Sequence, residues 1–271
     1  MTPVIHSRAS TVIPARKSLG QNFLADGVVI ADILAALPPA PEALVEVGAG
    51  RGALTGGLAA TRRVAAVEID PRLVDMLRRD FAANDNVVVV AGNALDIDLG
   101  GLLPAPYAVF GNIPYYITGA LVPRLVSLQP RPEWVCVMVQ LEVAERLCAD
   151  PGGWSLATLA VRTHATAELV MRVPARAFEP VPKVDSALVM LRPAAPAAFA
   201  TPEFFDFARA VFQERRKKLP NAVANALGHD VLRGRAVVAR ARLDDMRRPQ
   251  TLDLAEWETL HDAYRAELDG G

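Results

Sequence analysis

Leu44-Val45-Glu46-Val47-Gly48-Ala49-Gly50-Arg51-Gly52 is the stretch on which the fold turns. A short apolar run breaks into glycines spaced two apart, the pattern of a buried strand ending in a tight turn. The residues that follow predict a helix to about Thr61. Strand, glycine-rich turn and helix in that order form the ligand edge of an open α/β sheet. Glycine lets the backbone come close, and a helix N-terminus supplies partial positive charge. Working outward, residues 64–69 read as a second strand and 71–83 as a helix with Pro71 in its first turn. Residues 87–90, 107–110 and 134–139 read as the third, fourth and fifth strands, with helical patterns between the last two and after the fifth. Apolar strands alternating with helices predict a doubly wound, parallel α/β sheet covered on both faces. A later strand, 186–191, is less regular.

Residues 192–202 are rich in proline and alanine and read as a linker. Beyond it Phe204, Phe205, Ala208, Val211 and Phe212 form one helical stripe, and Leu252, Trp257, Leu260 and Tyr264 mark a final helix. The expected layout is an N-terminal arm (1–16), an α/β domain (17–193) and a small all-helical domain (203–271). With 271 residues, 52% hydrophobic and 22% charged, the chain reads as packed and globular. No apolar stretch approaches the ~20 residues of a membrane helix. The first fifteen residues lack a secretory pattern, so a cytoplasmic location is expected. Cys136 and Cys148 have no C-x-x-C spacing and read as reduced, buried thiols; His6, His164, His229 and His261 are scattered, so no metal site is expected. Trp134, Trp154 and Trp257 read as core. The net charge is −1, yet residues 207–248 carry eleven Lys or Arg against four acids, +7 locally. On charge alone such a run is a solvated face.

Gly48 and Gly50, with Glu68 about twenty residues beyond the turn, fit a site for an adenosine-type cofactor, the glutamate accepting hydrogen bonds from a ribose diol. They do not say which one. Asn112-Ile113-Pro114-Tyr115 narrows the choice, because it follows the fourth strand on the same edge of the sheet. The exocyclic amine of adenine is a poor nucleophile, its lone pair delocalised into the ring. Two acceptors aimed at its protons, the Asn112 side-chain oxygen and the Ile113 carbonyl, favour the pyramidal geometry that frees that pair for attack on a sulfonium methyl. Pro114 stiffens the turn, and Tyr115 offers a face on which an extruded base can stack.

With those motifs in place, the chain resembles the KsgA-type ribosomal RNA adenine dimethyltransferases from about Arg16 to Tyr264. The likeness runs through Lys17-Ser18-Leu19-Gly20-Gln21-Asn22-Phe23-Leu24, Glu46-Val47-Gly48-Ala49-Gly50 and Val67-Glu68-Ile69-Asp70. It continues in Asn112-Ile113-Pro114-Tyr115, Phe178-Glu179-Pro180-Val181-Pro182-Lys183-Val184-Asp185-Ser186 and Phe212-Gln213-Glu214-Arg215-Arg216-Lys217. The resemblance implies a Rossmann-like class I methyltransferase sheet with a small C-terminal helical domain, and S-adenosyl-L-methionine as cofactor. Asn22 and Leu24 would close over its methionine end, Gly48 and Gly50 would line it, and Glu68 would hold its ribose. Asn112 would touch both cofactor and target amine, Tyr115 would stack on the adenine, and Phe178 would form the opposite wall. The implied substrate is a pair of adjacent adenosines near the 3′ end of small-subunit ribosomal RNA, within an assembled subunit. The implied enzyme is a monomer with no membrane contact.

The sequence departs from the family at three places. Asn93 stands where the family usually has an aspartate contacting the cofactor's adenine amine. Loss of the charge roughly halves such a contact, so weaker cofactor binding is expected, to be tightened by Asn93→Asp. Asp96 and Asp98 are nearby candidates to substitute. Leu141 replaces a commonly basic residue, and Pro220 interrupts the basic run after Lys218. Three other readings stay open: an Erm-type enzyme acting on large-subunit RNA, a catalytically idle RNA-binding or assembly factor on the same fold, and a nicotinamide-dependent oxidoreductase. The last is disfavoured because no downstream acid/base pair is evident.

The family match assigns Arg215, Arg216, Lys217 and Lys218 to phosphate contacts. Neutralising Arg215 and Arg216 together is expected to weaken RNA binding and flatten its dependence on salt by about two counterions' worth of slope. Filter-binding titrations between low and high salt check this, and an unchanged slope returns the run to ordinary solvated surface.

Overall fold

A computed structural model describes residues 13–269; residues 1–12 of the expected arm and 270–271 lie outside the described residues. The N-terminal segment contains a two-residue strand, β1 (Phe23–Leu24), and then α1 (Gly27–Ala36), capped by the Asp26 carboxylate on two backbone N–H groups. The first half of the sheet follows as β2 (Ala43–Val47), α2 (Thr55–Ala59), β3 (Arg63–Glu68), α3 (Pro71–Asp80) and β4 (Val87–Ala91). The second half runs β5 (Tyr107–Asn112), α4 (Thr118–Val126), β6 (Val135–Gln140), α5 (Leu141–Cys148) and α6 (Leu156–Arg162). It ends with β7 (Ala165–Val173), the short β8 (Phe178–Glu179) and β9 (Ser186–Pro193). Four helices close the chain: α7 (Pro202–Gln213), α8 (Leu219–Leu227), α9 (Val231–Arg240) and α10 (Leu254–Asp269).

Seven strands form one sheet in the order β4-β3-β2-β5-β6-β9-β7. The expected parallel pairings hold from β4 to β6, but β9 and β7 are antiparallel additions at the far edge, so the sheet is mixed. The nine-residue β7 was not anticipated. A register shift between Leu169 and Met171 breaks its alternation, and Glu168 and Arg172 dilute its apolar character. The linker also begins later than expected, because Arg192 and Pro193 still belong to β9. Ala194 and Ala197 then donate to the His164 and Thr163 carbonyls, tying that stretch to the α6–β7 turn.

Strands β2, β3, β5 and β6 are buried on both faces. Val45, Val47, Tyr107 and Val109 face one apolar layer; Leu44, Ala108 and Phe110 face the other. A third core unites Phe204, Phe207, Val211, Trp257 and Leu260 of the closing helices with Trp154 and Leu159 from the α/β part. All three tryptophans are buried, as expected. Among the described residues, no helix is long and apolar enough to cross a membrane.

The topology positions the site. From β2 the chain winds outward through β3 to β4, then returns to the other side of β2 as β5. The order reverses between β2 and β5, and ligands of such sheets sit in the crevice at the carboxyl ends of the strands flanking that reversal. Gly48 and Asn112 stand at those two ends.

Candidate functional site

A cleft opens over the carboxyl edge of β2, β3, β4 and β5, with an empty volume of about 1050 Å³ including its open mouth. Its floor is the glycine turn. Gly48 and Ala49 both donate to the Val67 carbonyl, at 2.9 and 3.2 Å, so the turn hangs from the end of β3. Gly48 has φ +75°, and a Cβ there would lie 2.8 Å from the Asn112 carbonyl oxygen. No other residue allows that approach. Gly50, also left-handed at φ +58°, lies under the Phe23 ring.

Glu68 is buried at the end of β3, and three backbone N–H groups converge on its carboxylate: Gly50 on Oε2, Ile69 and Asp70 on Oε1, each at 2.9 Å. Burial raises its pKa against the lowering pull of those three bonds. A carboxylate accepts about four hydrogen bonds, so one position remains open unless Gly50 lets go. A ribose diol donating both its hydroxyls would use the open position on Oε2 and the one Gly50 now holds. Glu46, given no role by sequence reasoning, also lines the cleft. It is an acid inside an otherwise apolar strand, 2% exposed, and it accepts from the Thr55 hydroxyl at 2.6 Å. Burial pushes its pKa up to about 8, with Thr55 pulling down and the charge of Glu68 adding to the rise.

Residues 13–24 form a strap along one wall. Leu19, Gln21, Asn22 and Leu24 line the cleft, and β1 pairs antiparallel with β8, setting Leu24 opposite Phe178. The strap is held through Asp70. That buried carboxylate accepts from Gln21 Nε2 at 3.1 Å and from Arg72, whose Nη2 lies at 2.6 Å, while Arg16 stands 3.6 Å away. The Arg72 guanidinium holds the Asp70 carboxyl down at about 2, against burial, with Gln21 helping. Arg51 clasps the other side: it bonds the Ile13 carbonyl at 2.7 Å, pairs with Glu179 at 3.1 Å and lies 4.3 Å over the Phe23 ring.

Asn112 ends β5 half-buried on the cleft wall, and among the described residues no protein group occupies its carboxamide. Ile113 is buried and its N–H donates to the Met138 carbonyl at 3.3 Å, which fixes the peptide after Asn112 to β6. Pro114 and Tyr115 follow into a 3-10 turn. The Tyr115 hydroxyl meets Ser186 Oγ at 2.9 Å, so the ring is pinned at its far end by the first residue of β9. Burial raises the Tyr115 pKa, the Ser186 bond opposing and the Asp185 charge adding. Phe178 reaches the cleft from β8 but is only 3% exposed, most of its ring lying in the core.

All the sequence-predicted residues for cofactor and base thus meet in one cleft: Asn22, Leu24, Gly48, Gly50, Glu68, Asn93, Asn112, Ile113, Pro114, Tyr115 and Phe178. Arg215, Arg216, Lys217 and Lys218 do not line it. They are exposed in the turn between α7 and α8, not on a helix face; the run ends at Lys218 because α8 begins at Leu219, with Pro220 in its first turn. Of the two candidate stand-ins for the missing aspartate, Asp98 lies beside Gly101 and Tyr107, outside the cleft lining. Asp96 bonds Asn93 directly, its Oδ2 accepting from Nδ2 at 2.8 Å. The expected gain from Asn93→Asp alone therefore does not follow, because it would set two carboxylates face to face. Sequence reasoning also missed Asp70 and Ser186. Both stand in motifs quoted for the family resemblance without a role, and their partners Gln21 and Tyr115 lie 49 and 71 residues away.

Comparison with known proteins agrees with this geometry. Residues 13–259 match the family model described as ribosomal RNA adenine dimethylase. The chain is 39% identical to ribosomal RNA small subunit methyltransferase A of Dehalococcoides mccartyi, over 91% of this chain and 87% of that one. It is likewise 39% identical to the protein of that name from Pelotomaculum thermopropionicum, over 96% and 93%. Among solved structures it is similar to a dimethyladenosine transferase from Plasmodium falciparum (TM-score 0.74, 25% identity, 90% of this chain and 98% of that one). It is also similar to the 23S rRNA methyltransferase ErmE (TM-score 0.66, 30% identity, 90% and 100%). The fold is the Rossmann-like class I methyltransferase fold.

Glu46 gives the site a pH signature. A carboxyl whose folded pKa lies near 8, against an ordinary 4.5, contributes stability that is fully present below about 4.5 and lost as pH rises through about 8. Glu46→Gln keeps the acceptor for Thr55 but cannot ionise, so its melting temperature is expected to fall less than that of the parent protein across this window. Calorimetric scans from pH 4 to 9 check it; parallel curves would mean that Glu46 is already ionised in the fold.

Proposed function

The chain belongs to the ribosomal RNA adenine dimethylase family, and from that premise we propose that it methylates small-subunit (16S) ribosomal RNA. Methyl groups pass from S-adenosylmethionine to N6 of two adjacent adenosines near the 3′ end, giving N6,N6-dimethyladenosine. The observation that carries the reading is the close approach of the Asn112 main-chain carbonyl to Gly48, which puts Asn112 and the glycine turn in one cleft. The residues fit the cofactor. A cradle that a Cβ at residue 48 would obstruct lies beside a carboxylate, Glu68, with one acceptor position open. A second carboxyl, Glu46, can ionise next to a cation.

S-adenosylmethionine supplies, when bound, a methyl group activated by its sulfonium. This chain's residues do the rest. Asn112 Oδ1 and the Ile113 carbonyl accept the two N–H bonds of the target amine and free its lone pair along the line of attack. Tyr115, pinned by Ser186, and the edge of Phe178 hold the base between them. One N–C bond forms as one C–S bond breaks. The new ammonium is acidic enough to release its proton to water, so no dedicated base is required. Rate comes from orientation and from acceptors placed in advance. A second methylation uses the proton and lone pair that remain. Arg215, Arg216, Lys217 and Lys218 would bind backbone phosphate away from the cleft, with the protein working as a cytoplasmic monomer on the assembled small subunit.

The likeness to ErmE favours a second reading, a large-subunit adenine as target. The curated relatives favour the small subunit. Labelled cofactor offered to unmodified small subunits and, separately, to large-subunit RNA, followed by mapping of reverse-transcription stops, separates them. Adjacent stops near the small-subunit 3′ end are expected. Asn112→Ala is expected to lower methyl transfer by about a hundredfold or more while leaving the melting temperature close to the parent's; retained turnover would remove Asn112 from the mechanism.

A further inference from the structure

Asn93 follows β4 and lines the cleft. Its amide is held from both ends. The Leu95 N–H donates to Oδ1 at 3.1 Å, and Nδ2 donates to Asp96 Oδ2 at 2.8 Å. The Asn93 carbonyl receives Asp96 and Ile97 N–H groups at 2.9 and 3.1 Å, so both partners belong to one tight turn. These neighbours demand the same orientation. Only an acceptor can face the Leu95 N–H, and only a donor can face a carboxylate. With the amide fixed that way, Oδ1 keeps one acceptor position uncommitted, and Nδ2 is committed to an exposed acid.

We propose that Asp96 is a positioning residue that locks Asn93 as an acceptor for the amino group of the cofactor's adenine. The inference rests on the cofactor reading above. In a chain lacking Asp96 the Leu95 N–H alone would hold the amide in this sense; the carboxylate adds a second constraint of the same sign, so a turned-over amide would lose two hydrogen bonds and set its oxygen against a carboxylate. Asp96 thus supplies at one remove the selectivity that a carboxylate at residue 93 would supply directly. The same geometry fixes the sign of a double exchange. Asn93→Asp alone brings two acceptor-only groups to hydrogen-bond distance, pushing the loop apart. Asn93→Asp with Asp96→Asn restores a donor–acceptor pair and leaves a charged acceptor at residue 93.

Titration calorimetry with S-adenosylhomocysteine and with S-inosylhomocysteine, in which oxygen replaces the amino group, tests this on the full chain. The parent protein is expected to prefer the adenosyl compound. Asp96→Ala is expected to weaken S-adenosylhomocysteine about five-fold and to shrink the preference by a similar factor. Asn93→Asp should bind S-adenosylhomocysteine no more tightly than the parent, and the double exchange more tightly by about five-fold. Asp96 is exposed, and melting curves verify that each variant folds. An unchanged preference in Asp96→Ala, or tighter binding by Asn93→Asp alone, overturns the proposal while leaving the cofactor reading intact. Failure of the parent protein to bind S-adenosylhomocysteine overturns that reading, and the proposal with it.

Discussion

The carbonyl of Asn112 occupies the space that a side chain on residue 48 would need, and the site depends on that approach. Parallel pairing of β2 with β5, Val47 opposite Gly111, brings the two strand ends level. The left-handed turn at Gly48 then lets the backbone of one loop touch the backbone of the other. A residue with a Cβ would force the strands apart or swing the turn away from Val67, to which it is bonded. The distance between the glycine turn and the Asn112 loop, the proposed cofactor and amine sites, is therefore set by main-chain contact, the least adjustable kind. Acceleration that comes from orientation needs this rigidity, since small errors in placement are costly.

Two carboxylates on one turn then have opposite fates. Glu68 is drawn toward its neutral form by burial, resisted by three backbone donors. Asp70, two residues on, is held ionised by Arg72 and anchors the strap through Gln21 and Arg16. The Asp70 N–H is itself one of the donors to Glu68, so the proposed ribose anchor and the strap anchor are mechanically one unit. The strap in turn carries β1 to β8, and with it the strand of Phe178. Cofactor wall and base wall are tied by a two-stranded ladder and by Arg51, which touches the strap and Glu179 together. Breaking one wall loosens the other.

The nucleotide-binding strands were legible in the sequence because they are buried on both faces, and nothing but a short apolar run can be. The glycine turn, Glu68 and Asn112–Tyr115 were legible for a related reason: their positions are set by strand ends, so local sequence locates them. What escaped depended on partners far along the chain. β7 is an edge strand with a bulge and polar residues, and its pairing with β9 is invisible locally. Ser186 acquires meaning only from Tyr115, and Asp70 only from Gln21. The basic run Arg215–Lys218 resembled a helix face until a new helix began at Leu219 and left it in a turn. The bond between Asn93 and Asp96 was not legible, because two residues three apart meet only where the turn folds back.

The closing helices bear on how such a site meets a large substrate. Their core is not self-contained: Trp154 and Leu159, from the segment leading out of α5, are built into it beside Phe204 and Trp257. The stretch after β9 is bonded to the α6–β7 turn at Ala194 and Ala197. A cationic turn mounted on helices fastened in this way is held at a fixed offset from the cleft. In the proposed reaction that offset matters more than the affinity of any one arginine. Phosphate contacts carry no base information, but they set which nucleotide stands over the acceptors. Telling an amine from an oxygen is then left to the cleft, where in that reaction the acceptors at Asn112 and Ile113 would meet an exocyclic amine and give nothing to an oxygen.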